Sequence, residues 1–131
     1  MIASRTDRLL VVALAGVALG ALPPWLLRNP FYDGVSPAVY HPGQGTGLET
    51  WGLATLPLAV LAVGVLVARD GRVATTSAAL VGAAAAAVAL DAAAEGVLVP
   101  WLLPGPGVVL TATSGVAVLA LVARDRSNPG R

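Results

Sequence analysis

Asp91 and Glu95 stand four residues apart in a stretch otherwise made of alanine, valine, leucine and glycine. At that spacing two side chains project from one face of a helix. One carboxylate at the centre of a bilayer costs ~2.5–3.5 kcal/mol on insertion scales, and a like charge on the same face adds to that. A pair at depth must therefore face the inside of a helix bundle, where it makes a proton or cation site. A pair near the surface is wet, or is tied to a base, and the bases on the same side are Arg28 and His41. Counted back from Trp101, Asp91 is ~15 Å in; counted forward from Arg72 it is ~28 Å across and near the far surface. The segment is longer than a crossing requires. The expectation is the shallower placement, with Asp91 and Glu95 tethered to Arg28 and His41, and an ion or proton site is its alternative.

Other constellations carry less. His41 is the only histidine, so it builds no metal site without carboxylates from elsewhere, and none is expected. Asp33 and Ser36 lie near it in sequence without any sign of triad geometry. Gly43-Gln44-Gly45-Thr46-Gly47 has the glycines of a phosphate loop, but it follows no strand and lacks the lysine, so it reads as a turn. The absence of cysteine excludes disulfides, thiol redox chemistry and zinc–thiolate sites. A net charge of +1 offers no field for nucleic acid. Neither a cofactor nor an enzymatic activity is expected.

The elements that position these residues follow from where charge is missing. The chain has 131 residues, 56% of them hydrophobic and only 11% charged, with a mean hydropathy of +0.80. Soluble domains carry about 25% charged residues. No charge lies between Arg8 and Arg28, Glu49 and Arg69, Arg72 and Asp91, or Glu95 and Arg124. Crossing a ~30 Å hydrocarbon layer takes about 20 apolar residues. The expected fold is all-α: a polytopic membrane four-helix bundle, a single domain over 1–131, with spans near 8–27, 47–68, 74–99 and 106–123. The outer loop is 28–46 and the inner turn 69–72. Runs such as Leu9–Leu14 do not alternate, which excludes a β-barrel. Thr46-Gly47-Leu48-Glu49 is a capping box that opens the second helix. Gly71 is expected to end that helix in the left-handed conformation.

Arginine sets the orientation. Arg5, Arg8, Arg69, Arg72, Arg124, Arg126 and Arg131 fall on one side and only Arg28 on the other. The positive-inside rule places both termini and the 69–72 turn in the cytoplasm of a multi-pass protein of the cell membrane. Trp25, Trp51 and Trp101 fall at the outer ends and are expected as interface anchors. Residues 5–22 also have the layout of a cleaved signal peptide; retention is the expectation, because of a repeat. Pro24-Trp25-Leu26-Leu27 recurs as Pro100-Trp101-Leu102-Leu103, and Leu66–Asp70 recurs as Leu121–Asp125, in the same order. The chain thus reads as two tandem helical hairpins related by an axis along the membrane normal.

Helices in lipid associate through small residues. Gly16 and Gly20 offer a GxxxG face, Gly82 and Ala83–Ala87 a smooth surface, and Ser114 and Gly115 a third. One such face is available for a second copy or another membrane protein. Pro57 is expected to kink the second helix.

With four spans, Pro-Trp after each odd span and a glycine-rich first outer loop, the chain resembles small four-helix membrane proteins of prokaryotes, and that resemblance implies no activity. Small multidrug transporters need an acid in the first span, which is absent here. Four-helix thiol oxidoreductases need cysteines. The expected function is a non-catalytic structural or accessory subunit, acting through helix packing and its outer loop. Its partners are the lipid bilayer and a second copy or another membrane protein. The alternative is a small ion- or proton-coupled transporter using Asp91 and Glu95.

Overall fold

The first helix opens on Ser4. Its hydroxyl accepts the Asp7 amide at 3.0 Å and the Asp7 carboxylate accepts the Ser4 amide at 3.5 Å, a reciprocal cap. In the computed structural model, which describes residues 4–32, 34, 42–69 and 71–127, the chain is mostly helical. Four helices are α1 (Arg5–Gly20), α2 (Gly52–Ala68), α3 (Arg72–Leu98) and α4 (Pro106–Ser127). A single 3-10 turn, Gly47–Glu49, precedes α2. Two three-residue strands, β1 (Leu26–Arg28) and β2 (Leu102–Pro104), pair antiparallel, a departure from the all-α expectation.

Helices α1 and α3 each touch α2 and α4, and meet each other only lightly across the middle. The two ends of the bundle differ. At one, here the turn end, lie Ser4, the α2–α3 connection and the end of α4. The other, the loop end, holds residues 23–32, 42–50 and 99–105.

The helix limits depart from the expected spans where backbone chemistry overrides hydropathy. Span 8–27 ends at Gly20, because Pro23-Pro24 supplies no amide donors and disfavours helix before it. The 46–49 capping box forms, with the Leu48 amide donating to Thr46 Oγ1 at 3.2 Å and the Thr46 amide to Glu49 at 3.2 Å. It closes the 3-10 turn, and α2 begins only at Gly52. Gly71 has a positive φ of +75° with ψ −143°, a conformation open to glycine alone, but it stands at the start of α3. Arg69, in extended conformation, ends α2 instead, and Asp70 of that turn lies outside the described residues. Helix α2 runs continuously through Pro57. Pro106 takes the first position of α4, where its missing amide has no partner to lose.

The buried faces of α2 and α3 are built mostly from small residues, whereas α1 and α4 bury Leu10, Leu14, Val17, Val118 and Val122. Along α3 the buried positions are Ala74, Thr75, Ala78, Gly82, Ala85, Ala86, Ala89, Ala92 and Gly96; along α2 they are Gly52, Thr55, Ala59, Ala62 and Leu66. Large apolar side chains point outward: Leu53 is 69% exposed, Leu61 65%, Leu80 67% and Leu98 80%. Helices α3 and α4 are long and apolar enough to cross a membrane, whereas α1 and α2 are shorter, at 16 and 17 residues.

The four glycines expected in helix packing are all spent inside the bundle. A Cβ on Gly82 would meet Val118 Cγ1 at 2.8 Å, and one on Gly115 would meet the Gly82 carbonyl oxygen at 2.8 Å. Gly16 lies against Ser114, and Gly20 against Thr111 and the backbone of Gly107. The Gly16/Gly20 face is thus consumed by α4, not left over for a second copy.

Candidate functional site

Because α1 stops at Gly20 and the prolines turn the chain, Trp25 folds back into the bundle. It is fully buried among Ala89, Ala92 and Val108, and its indole N–H donates to the Gly20 carbonyl at 2.8 Å. That overturns its reading as an interface anchor: once the ring's one donor is satisfied, its apolar body packs as core. Gly47 and Gly107 lie against the indole, where a side chain on either would overlap it. Trp51 is half exposed, and Trp101 is partly covered by Tyr32, with ring centroids 6.3 Å apart at 58°.

The two Pro-Trp-Leu-Leu segments meet here. In the β1–β2 register Leu27 faces Leu103, its own counterpart in the recurring motif. The flanking hydrogen bonds are interchanged in the same way. Gly105 donates its amide to the Trp25 carbonyl at 2.7 Å, and Asn29 donates its amide to the Trp101 carbonyl at 2.9 Å. Asn29 also donates its side-chain amide to the Pro100 carbonyl at 3.2 Å.

The described end of the outer loop is clamped onto this ladder. The Gly43 carbonyl accepts the amides of Trp25 and Leu26 at 2.9 and 3.1 Å, and Gly47 donates to the Pro23 carbonyl at 3.0 Å. Gly43 holds φ +104°, which a side chain would strain. Glu49 organises the same turn. One of its carboxylate oxygens accepts the amides of Gly43, Gly45 and Thr46 at 3.2, 2.8 and 3.2 Å. The glycine-rich segment is therefore a turn folded around this protein's own carboxylate.

Asp91 and Glu95 come together as the helical spacing predicts. Both line a cavity of about 350 Å³ with Trp25, Leu26, Thr50 and Trp51. Both are exposed, and Glu95 is three residues from the last residue of α3. Arg28 is not among the described residues that line this cavity; it is exposed on β1, opposite Leu102. His41 lies outside the described residues. Of the four residues expected in the tether, Asp91 and Glu95 are the two that share this cavity.

Three features escaped the sequence reading. Glu49 was read only as a cap, although its neighbouring glycines signal a carboxylate cradle. Thr111 is completely buried in the α1–α4 contact and its hydroxyl has no hydrogen-bond partner among the described residues; the signal was the small-residue series Gly107, Thr111, Ser114, Gly115. The third is a basic cavity at the turn end. Among known proteins the chain matches no family model, no curated sequence and no solved structure.

Proposed function

We propose that the chain is an integral membrane protein with four spans, made of two tandem helical hairpins, and that it acts as a non-catalytic structural or accessory subunit. The observation that carries this reading is the inverted packing. Removing one leucine from water is worth ~1.5–3 kcal/mol, so α2 and α3 of a soluble protein would not turn mostly alanine inward and Leu53, Leu61, Leu80 and Leu98 outward, although α1 does bury Leu10 and Leu14. In lipid the preference vanishes, and close backbone approach through small residues holds helices together. The Leu27–Leu103 register, with its two interchanged hydrogen bonds, supports the duplication and a two-fold axis between the hairpins. The seven arginines of the turn end and the termini support a cytoplasmic placement of that end.

With α4 occupying the Gly16/Gly20 face, the outer loop and the leucine-rich outer surfaces are what remain to meet a partner. The absence of cysteine makes the test direct. Single cysteines at Ser4, Ser36 and Ser127 are challenged with a membrane-impermeant maleimide. Labelling of Ser36→Cys from outside, and of the other two only from inside, is expected. Termini reached from opposite sides, or a monodisperse protein without detergent, overturn the topology. Strict monomers in native-like lipid with no crosslinked partner overturn the accessory role.

A second reading, an ion- or proton-coupled transporter, is favoured by the cavity that Asp91 and Glu95 share. Flux in proteoliposomes that falls with Asp91→Asn and Glu95→Gln would select it.

A further inference from the structure

At the turn end a cavity of about 680 Å³ opens between α1, the α2–α3 connection and α4. Its volume falls in the ~300–1,000 Å³ range of small-molecule sites. Three arginines from three elements line it: Arg69 at the end of α2, Arg72 at the start of α3 and Arg126 near the end of α4. Arg126 is held in place, its guanidinium donating to Thr76 Oγ1 at 2.8 Å. The guanidinium groups of Arg69 and Arg72 have no hydrogen bond or ion pair among the described residues. Two acids share the lining, Asp7 and Asp125. Asp7 is committed to the Ser4 cap. Asp125 forms no ion pair with the arginines among the described residues. Among the described residues the charges are thus arranged around an open space without salt bridges between them. Gly71, at the start of α3, makes no side-chain cap hydrogen bond to the first amides of that helix.

Guanidinium forks match phosphate oxygens in a bidentate geometry, and basic cavities between helices at the cytoplasmic face suit lipid head groups. We propose that this cavity binds a phosphate ester through Arg69, Arg72 and Arg126, with Asp125 tuning the affinity downward. The same chemistry is offered by the head group of an anionic phospholipid and by a free phosphate. The proposal goes beyond the accessory role and does not depend on it.

Two arms test it. In phosphatidylcholine nanodiscs containing phosphatidylglycerol, retained anionic lipid is counted by native mass spectrometry. In detergent, inorganic phosphate is titrated and thermal protection is followed. About 1 kcal/mol per basic side chain at an anionic surface corresponds to a fivefold change. Arg69→Gln, Arg72→Gln and Arg126→Gln should therefore each weaken binding about fivefold, and Asp125→Asn should strengthen it by a similar factor. Arg124→Gln, which removes the same charge from the same end but does not line the cavity, should change it less than twofold. Selectivity for phosphatidylglycerol supports a lipid source; phosphate protection without that selectivity supports a free one. An Arg124→Gln effect equal to the others overturns the proposal, as does the absence of binding in both arms. The phosphate arm needs no bilayer, so failure of the membrane reading leaves it standing as a separate result.

Discussion

Gly115→Ala and Gly64→Ala are the same chemical change, and the packing gives them opposite signs. Alanine in a helix interior is favoured over glycine by ~1 kcal/mol. At Gly64 a Cβ would meet nothing within 4 Å, so the substitution should stabilise by ~0.5–1 kcal/mol. At Gly115 the Cβ would sit 2.8 Å from the Gly82 carbonyl oxygen and 3.0 Å from the Ala86 amide nitrogen. Ordinary contact lies near 3.5 Å, so α3 and α4 must part by about 0.7 Å. Overpacking of that kind costs ~1–3 kcal/mol, which exceeds the gain in propensity. The two variants should differ by about 2 kcal/mol, or ~30-fold in the folded-to-unfolded ratio. Reversible unfolding in mixed micelles with rising dodecyl sulfate, followed through the fluorescence of buried Trp25, reads this directly. A further arm separates the obstacles. At Gly82 the Cβ would meet Val118 Cγ1 at 2.8 Å, Val118 Cβ at 2.9 Å and the Gly115 carbonyl oxygen at 3.0 Å, so Val118→Ala, which removes only the first contact, should relieve Gly82→Ala in part. It should not relieve Gly115→Ala, whose nearest neighbour is backbone. Equal stability of Gly115→Ala and Gly64→Ala, or rescue of Gly115→Ala by Val118→Ala, would refute the close-approach argument.

Trp25→Ala should cost ~3–5 kcal/mol, and Trp25→Phe ~1–3 kcal/mol for the unpaired Gly20 carbonyl, both read in the same titration; a loss below 1 kcal/mol for Trp25→Ala would mean the ring is not core. Glu49→Ala should speed hydrogen exchange at Gly43, Gly45 and Thr46 together, with Glu49→Gln intermediate; unchanged exchange at all three would remove the carboxylate from its organising role. Asp91→Asn should shift unfolding by less than ~0.5 kcal/mol, as at a watered surface. A gain of 2 kcal/mol or more would place that acid in hydrocarbon.

What the sequence disclosed was governed by charge. The charge gap after Arg72 marks the start of α3, and the Pro104–Gly107 turn chemistry marks the start of α4, so the expected spans 74–99 and 106–123 lie close to Arg72–Leu98 and Pro106–Ser127. The i, i+4 spacing brought Asp91 and Glu95 to one cavity. Hydropathy was blind to the rest because it does not see the backbone. Trp25 has the same apolar body in an interface belt as in a core; only the turn at Pro23-Pro24 and the acceptor at Gly20 decide between them. Gly71 was recognisable as a residue needing positive φ, but which helix it served depended on where Arg69 left the helical path. Thr111 and Ser114 were invisible as partners of Gly20 and Gly16, since the pairing joins residues far apart in sequence.

The pairing of the two Pro-Trp-Leu-Leu segments has a physical necessity beyond symmetry. A helix that ends at Gly20, after 16 residues, is ~24 Å long, short of a ~30 Å layer. On the proposed four-span reading, its chain continues through apolar surroundings without helical hydrogen bonds, where unpaired backbone groups are costly. The segment after α3 faces the same demand as it passes Trp101. Each answers the other's: Gly105 donates to Trp25, Asn29 to Trp101, and the strands close between them. The amides of Trp25 and Leu26 then turn to Gly43, which is why the end of the outer loop packs inward. The loop end is therefore held by backbone bonds that no side-chain substitution removes outright, whereas the helix contacts depend on glycines that one methyl group disrupts. Variation in the outer loop between these clamped ends is tolerable to the fold in a way that variation at Gly82 or Gly115 is not.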